Sequence, residues 1–242
     1  MTTSTIEESQ RKAARVVGFC YLFAMALGVF AVSYVRGHLI VPDNAAKTAV
    51  NIMAHERLFR LGIAGYVLCM LSDAALLTAL YVILKRVNQN LALFAACLRL
   101  VETVIGVAAT LSSFDVLRLL SGADYLQAFR TDQLQSLARI PIGAFGAGIN
   151  ASFVFLGLGS TVFGYLWFKS RYIPRALAAL GVFGSLLLAT GSFAFIIFPK
   201  LADWAAPGYF APLGVFEVTM GFWLLLRGLR PPVVAEPVKV GG

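Results

Sequence analysis

The chain has 242 residues, of which 59% are hydrophobic and only 13% charged, with a net charge of +8 and a mean hydropathy of +0.80. A soluble domain carries about 25% charged residues, so the deficit excludes a soluble fold of this length. The basic excess does not indicate nucleic acid. It gathers at the ends of apolar blocks, at Arg11-Lys12-Arg15, Lys85-Arg86, Lys169-Arg171-Arg175 and Arg227-Arg230, as topology signals and contacts to anionic lipid do.

Six membrane spans are predicted, at residues 16–35, 58–84, 91–120, 146–168, 175–198 and 210–227, each near or above the ~20 residues that a helix needs to cross hydrocarbon. The first is longer than the about 7–15 apolar residues of a signal-peptide core, and no small-residue cleavage site accompanies it, so it reads as a retained span. Glu7 and Glu8 also argue against an acid-poor transit peptide. Beyond it, Asp43 is expected to cap a short interfacial helix within 44–57. A short turn over Lys85 to Asn90 makes the second and third spans antiparallel neighbours. Residues 124–139 read as a second interfacial segment. Pro141, Gly143, Gly146 and Gly148 are expected to loosen the start of the fourth span. The sixth is the shortest, and the tail from Pro231 is expected to be disordered.

Fold class and topology follow from this. The prediction is an all-α bundle of six transmembrane helices over 16–227, with a segment 1–15 and a tail 228–242 on the same side. That side collects Arg11, Lys12, Arg15, Lys85, Arg86, Lys169, Arg171, Arg175, Arg227, Arg230 and Lys239. The opposite side has Arg36, Lys47, Arg57, Arg130, Arg139 and Lys200, spread over longer loops. The bias predicts cytoplasmic termini. Small residues four apart, such as Ala147/Ala151, Gly157/Thr161, Ser160/Gly164 and Gly181/Ser185, permit close helix contact, within one bundle or between copies in an oligomer. Cys20, Cys69 and Cys97 all fall in apolar blocks and read as small buried hydrophobes.

The candidate site comes from charges inside the spans. Asp73 and Glu102 are equidistant from the 85–90 turn, each roughly 16 Å from the cytoplasmic end of its helix. Ionisable groups at that depth are expensive and usually serve a purpose. Arg99 precedes Glu102 by three residues on the same helix face, and can serve Glu102 in cis and Asp73 across the pair. Glu217 in the last span lies at a similar depth, roughly 15 Å in. Three acids and one base in a low dielectric do not all hold charge, so at least one carboxyl is expected to be protonated at neutral pH. Arg60 and Asp115 are also equidistant from the turn. With Arg118 they are expected to form a second, outer-interface charge pairing. All these charges have a structural reading as well, in which they only lock the helices.

Other chemistry finds no support. His38 and His55 both lie outside the spans, which excludes bis-histidine haem within the bundle. His55-Glu56-Arg57-Leu58-Phe59 opens like a zinc protease motif but has Phe59 where the second ligand belongs. The stretch Gly143–Gly148 lacks the strand and lysine of a phosphate loop. No catalytic residue, metal site or cofactor is assigned, and an enzyme is the least favoured class.

The segments Phe59–Ile63, Asp73, Leu80–Leu93, Arg99–Glu102 and Gly164–Arg175 together resemble a bacterial membrane family, the domain of unknown function 4386 family. The resemblance covers roughly residues 15–227. It implies a six-helix inner-membrane protein, and Arg60, Asp73, Asn88, Asn90, Arg99 and Glu102 match the family pattern. That family tends to carry His and Asp at the start of the fourth span, where this chain has Phe145 and Asn150, so a protonatable or metal-binding outer site is not expected here. The family has no established activity to carry over. The expectation is a multi-pass protein of the bacterial inner membrane, in contact with the lipid bilayer and with anionic lipids on the cytoplasmic face. Its buried cluster Asp73, Arg99, Glu102 and Glu217 would handle a small-molecule ligand or ion, in a proton-coupled way. The alternative is an accessory or scaffold subunit.

Overall fold

The structure, a computed structural model, describes residues 6–231. The expected disorder of the tail and the contribution of Lys239 to the charge bias fall largely outside them. Every regular element among the described residues is helical.

Helix α1 (Glu8–Leu39) starts where the Glu7 backbone N–H donates to Gln10 Oε1 at 3.2 Å and Glu8 lies in the first turn, where a negative charge suits the helix dipole. It runs beyond the predicted 16–35 at both ends, and from Val29 to Arg36 it becomes π-helical. Helix α2 (Ala45–Ala54) is the expected first interfacial helix. Its cap is Asn44, not Asp43: Asn44 Oδ1 accepts from the Lys47 N–H at 2.8 Å. Asp43 instead takes φ 57° in the preceding turn, a left-handed conformation that a short polar side chain tolerates.

Helices α3 (Glu56–Leu84) and α4 (Gln89–Leu119) form the predicted antiparallel pair. Asn88 caps α4, its Oδ1 accepting from the Leu91 N–H at 2.9 Å. Asn88→Ala is expected to cost about 1 kcal/mol, read as a lower melting midpoint in detergent. Asn90→Ala, at an exposed position in the first turn, should stay within about 0.5 kcal/mol of the parent.

A 3-10 turn at Asp124–Leu126 and helix α5 (Thr131–Leu137) occupy the second interfacial segment. Helix α6 (Arg139–Ser170) then runs unbroken through Gly143, Gly146 and Gly148. The predicted loosening is absent because Pro141 falls in the first turn, where a missing N–H leaves no helical bond unmade. Helix α7 (Arg175–Ile197) follows. After a 3-10 turn at Pro199–Leu201 come α8 (Ala202–Tyr209) and α9 (Ala211–Leu226).

Five helical stretches are long and apolar enough to cross a membrane: α1, α3, α4, α7 and the run Thr131–Ser170 that joins α5 to α6. Their number and length suit a membrane protein. The apolar α9 is shorter, at 16 residues, and reaches about 24 Å.

Consecutive long helices are neighbours. α1 packs on α3, α3 on α4, α4 on α6, α6 on α7, α7 on α9, and α9 returns to α1, which closes a ring of six. Glycines set the spacing. Gly157 faces the α7 backbone at Ser185 and Ala189, Gly184 faces Leu213 of α9, and Gly18 of α1 meets Gly221 of α9. These small-residue faces are used inside one chain. Near the Lys85–Asn88 turn the ring is filled by Val17, Leu80, Ile83, Leu166, Trp167 and Leu224, all 2% exposed or less. Cys20 and Cys69 are buried as expected. Cys97 is exposed, because it lies on the outer face of α4, two residues from the inward-facing Arg99.

Candidate functional site: a polar-floored cavity in the helix ring

At mid-height the packing changes. Arg99 is 3% exposed, Glu102 2% and Asp73 8%. Arg99 Nη2 donates to Asp73 Oδ1 across the α3–α4 interface at 3.1 Å, and Nη1 donates to Ser160 Oγ of α6 at 3.2 Å. The guanidinium thus ties three helices. Gly159 makes room for it, since a Cβ there would lie 2.9 Å from Arg99 Cγ and 3.1 Å from the Ala95 carbonyl.

Glu102 is held less firmly. Its Oε2 lies 3.7 Å from Arg99 Nε, close enough for an ion pair and too long for a hydrogen bond. Neither atom has a hydrogen-bond partner among the described protein atoms. Buried polar atoms are normally bonded, so this carboxylate oxygen is an exception in the interior.

Above this layer, away from the 85–88 turn, the ring borders an open-sided cavity of about 440 Å³. Asp73, Arg99, Glu102 and Glu217 form its polar floor. Ala24, Met25, Val29, Met70, Phe153 and Phe210 supply apolar wall, and Tyr66, Cys69 and Tyr209 add polar edges. Its size falls in the range of small-molecule sites, and apolar walls with a few converging polar groups are their usual make-up. Glu217 of α9 is half-buried. Among the described residues it takes part in no ion pair.

The outer charges do not pair across helices. Arg60 bonds Glu56 on its own helix at 2.7 Å, and Arg118 bonds Asp115 at 2.9 Å. The reason is rotation. Arg60 lies 13 residues from Asp73 and Asp115 lies 13 from Glu102, a turn of roughly 220° beyond whole helical turns at 3.6 residues per turn. Both side chains are therefore swung away from the interface that Asp73 and Arg99 share, and helical neighbours four and three residues away take them instead.

Arg36 is not a loop charge. It lies in the π segment, over the Phe145 ring at 3.8 Å, with Nη1 donating to Ser113 Oγ at 3.3 Å. Phe145 thus supports a cation. Asn150 donates to the Ser192 carbonyl at 3.2 Å and ties α6 to α7. Ser160, Tyr66 and the π half of α1 were not singled out from the sequence. Ser160 is visible there only as a small residue four before Gly164, and nothing in Val29–Arg36 marks a change of helix type. Among the described residues no three His, Cys, Asp or Glu side chains approach closely enough to hold a metal.

Residues 16–228 match a family described as a domain of unknown function, DUF4386. An uncharacterized protein from Archaeoglobus fulgidus is 26% identical over 180 residues, covering 72% of this chain and 89% of that protein. No solved structure matches the chain. The match takes in every residue of the polar floor and all of the long helices but the first eight residues of α1, and by it the chain belongs to the DUF4386 family.

Proposed function

We propose that the protein crosses a bacterial inner membrane six times, with both termini in the cytoplasm, and handles a small molecule or ion in the cavity, with proton exchange at its carboxylates. α9 supports the sixth crossing, because it is apolar and completes the ring on which α1 and α7 pack. The excess of Lys and Arg beside the 85–88 turn supports the orientation. In that orientation the packed end faces the cytoplasm and the cavity lies in the outer half.

One observation carries the functional reading: the cavity reaches three carboxylates and one guanidinium at mid-height of the helix ring, which the proposed crossing sets at mid-membrane depth. Ionisable groups that face an internal cavity at that depth mark substrate, ion or proton paths. The groups that face one another across it are Asp73, Arg99, Glu102, Glu217, Tyr66, Cys69 and Tyr209.

Access to the cavity tests this. In a cysteine-free background, Met70→Cys should react with a charged methanethiosulfonate added to right-side-out vesicles, which expose the outer face, and not when it is added to inverted ones. Leu80→Cys, in the packed half, should not. If Cys at position 70 stays unmodified from both sides, the cluster is dry. The charges then only lock helices, and the accessory or scaffold reading takes over.

A further inference from the structure

The cavity carries a charge imbalance and an asymmetric wall. Its floor sets three carboxylates against one guanidinium, a formal excess of two negative charges when all are ionised. Asp73 is engaged by Arg99. Glu102 Oε2 has no hydrogen-bond partner, and Glu217 is joined to no cation among the described residues. Glu102, held only by the 3.7 Å ion pair to the same guanidinium, and the unpaired Glu217 thus line a chamber whose walls are mostly apolar. That chemistry selects a cation over an anion, and an organic cation with an apolar body over a strongly hydrated inorganic one, which the walls could not solvate.

The wall explains how such a molecule would arrive. The inner half of α1 packs on both neighbours, α3 and α9, with Gly18 against Gly221. The π half packs on α3, and among the described residues no comparable packing joins it to α9. Val29 and Val32 line the cavity while 52% and 37% exposed, and Ser33 beside them is exposed as well. Val29 lies 14 residues beyond Arg15, about 21 Å along a helix and so within the ~30 Å of hydrocarbon. A π turn inside a long helix is frequently found at functional positions. Here it lines the cavity on the side where α1 and α9 part.

We propose that the cavity binds an amphiphilic organic cation that enters sideways from the bilayer between the π segment of α1 and the start of α9. Its positive centre rests between Glu217 and Glu102, and its apolar body lies against Met25, Val29, Phe153 and Phe210. This rests on the cavity reading given above. The thiosulfonate test decides that reading, and the following one decides the ligand class.

Tetraphenylphosphonium and tetraphenylborate have nearly the same size and shape and opposite charge. Binding of each to the purified full-length protein in detergent should be measured by equilibrium dialysis, with protein-free micelles as the blank. The expected result is saturable binding of tetraphenylphosphonium at one per chain and no saturable binding of tetraphenylborate. Glu217→Gln should weaken the phosphonium at least tenfold, and Val29→Trp, which fills the opening without touching a charge, should slow its association at least tenfold when uptake of the radiolabelled ion is followed by rapid filtration. Glu8→Gln, on the exposed first turn of α1, should change neither. No saturable binding of tetraphenylphosphonium, equal binding of the two ions, or unchanged binding in both Glu217→Gln and Val29→Trp overturns the proposal. Should Glu217→Gln fail to fold, the contrast between the two ions and the Val29→Trp rate still decide it.

Discussion

Arg99→Leu should lose about 3–5 kcal/mol of stability, the usual result of removing one partner from a buried ion pair. Two effects oppose each other. Leucine is favoured over arginine at mid-membrane by about 3 kcal/mol on insertion scales, so the substitution removes a cost. It also strands Asp73 and Glu102, which are 8% and 2% exposed, and leaves Ser160 Oγ without its donor. Two abandoned carboxylates outweigh one relieved cation, and the loss should appear as a collapse of the melting midpoint and of folded yield in detergent. Asp73→Asn alone should be mild, because an amide oxygen can still accept from Nη2 at the observed 3.1 Å. The triple change Arg99→Leu, Asp73→Asn, Glu102→Gln should recover most of the midpoint, since it removes every stranded charge. A normal midpoint for Arg99→Leu would show that Arg99 does not hold α3, α4 and α6 together.

That these residues lie level with one another was legible in the sequence, and their contacts only partly. A short turn between two spans makes residues equidistant from it level, and Asp73, Arg99 and Glu102 do meet. The same symmetry also predicted the link between Arg60 and Asp115, which does not form. Level is a statement about rise, whereas contact depends on rotation as well. Thirteen residues return a helix to a different face, and that could have been read from the spacing alone. The cavity was not legible. It depends on the π half of α1 parting from α9, and Val29–Arg36 contains no proline or other break to announce it. Glu217 could be assigned a depth, but its outlook on a cavity rests on that same separation. The cap at Asn44 was missed by one residue because Asp and Asn are nearly equivalent in that role. Only the backbone shows that Asp43 is spent on the turn.

Gly157→Ala and Gly146→Ala put the same methyl on the same helix and should act with opposite sign. At Gly146 a Cβ would meet nothing within 4 Å, so alanine brings only its better helix propensity, a gain of up to about 1 kcal/mol. At Gly157 a Cβ would lie 2.6 Å from both the Ala189 nitrogen and the Ser185 oxygen. These are main-chain atoms of α7, and no rotamer change can clear them. Helices α6 and α7 must move apart, at a cost of about 1–3 kcal/mol for overpacking, and the propensity gain offsets only part of it. The consequence should reach the cavity. α6 carries Ser160 one turn from Gly157, and Ser160 holds the second arm of the Arg99 guanidinium. A displaced α6 therefore loosens Arg99 as well as α7. Melting curves of the two variants test both steps: Gly146→Ala should melt at or above the parent and Gly157→Ala several degrees below it. In a background already carrying Arg99→Leu, the Gly157→Ala deficit should shrink, because the Ser160 contact is gone before α6 moves. If Gly157→Ala melts with the parent, α6 and α7 are not held at this spacing, and the closed ring that frames the cavity loses one of its fixed sides.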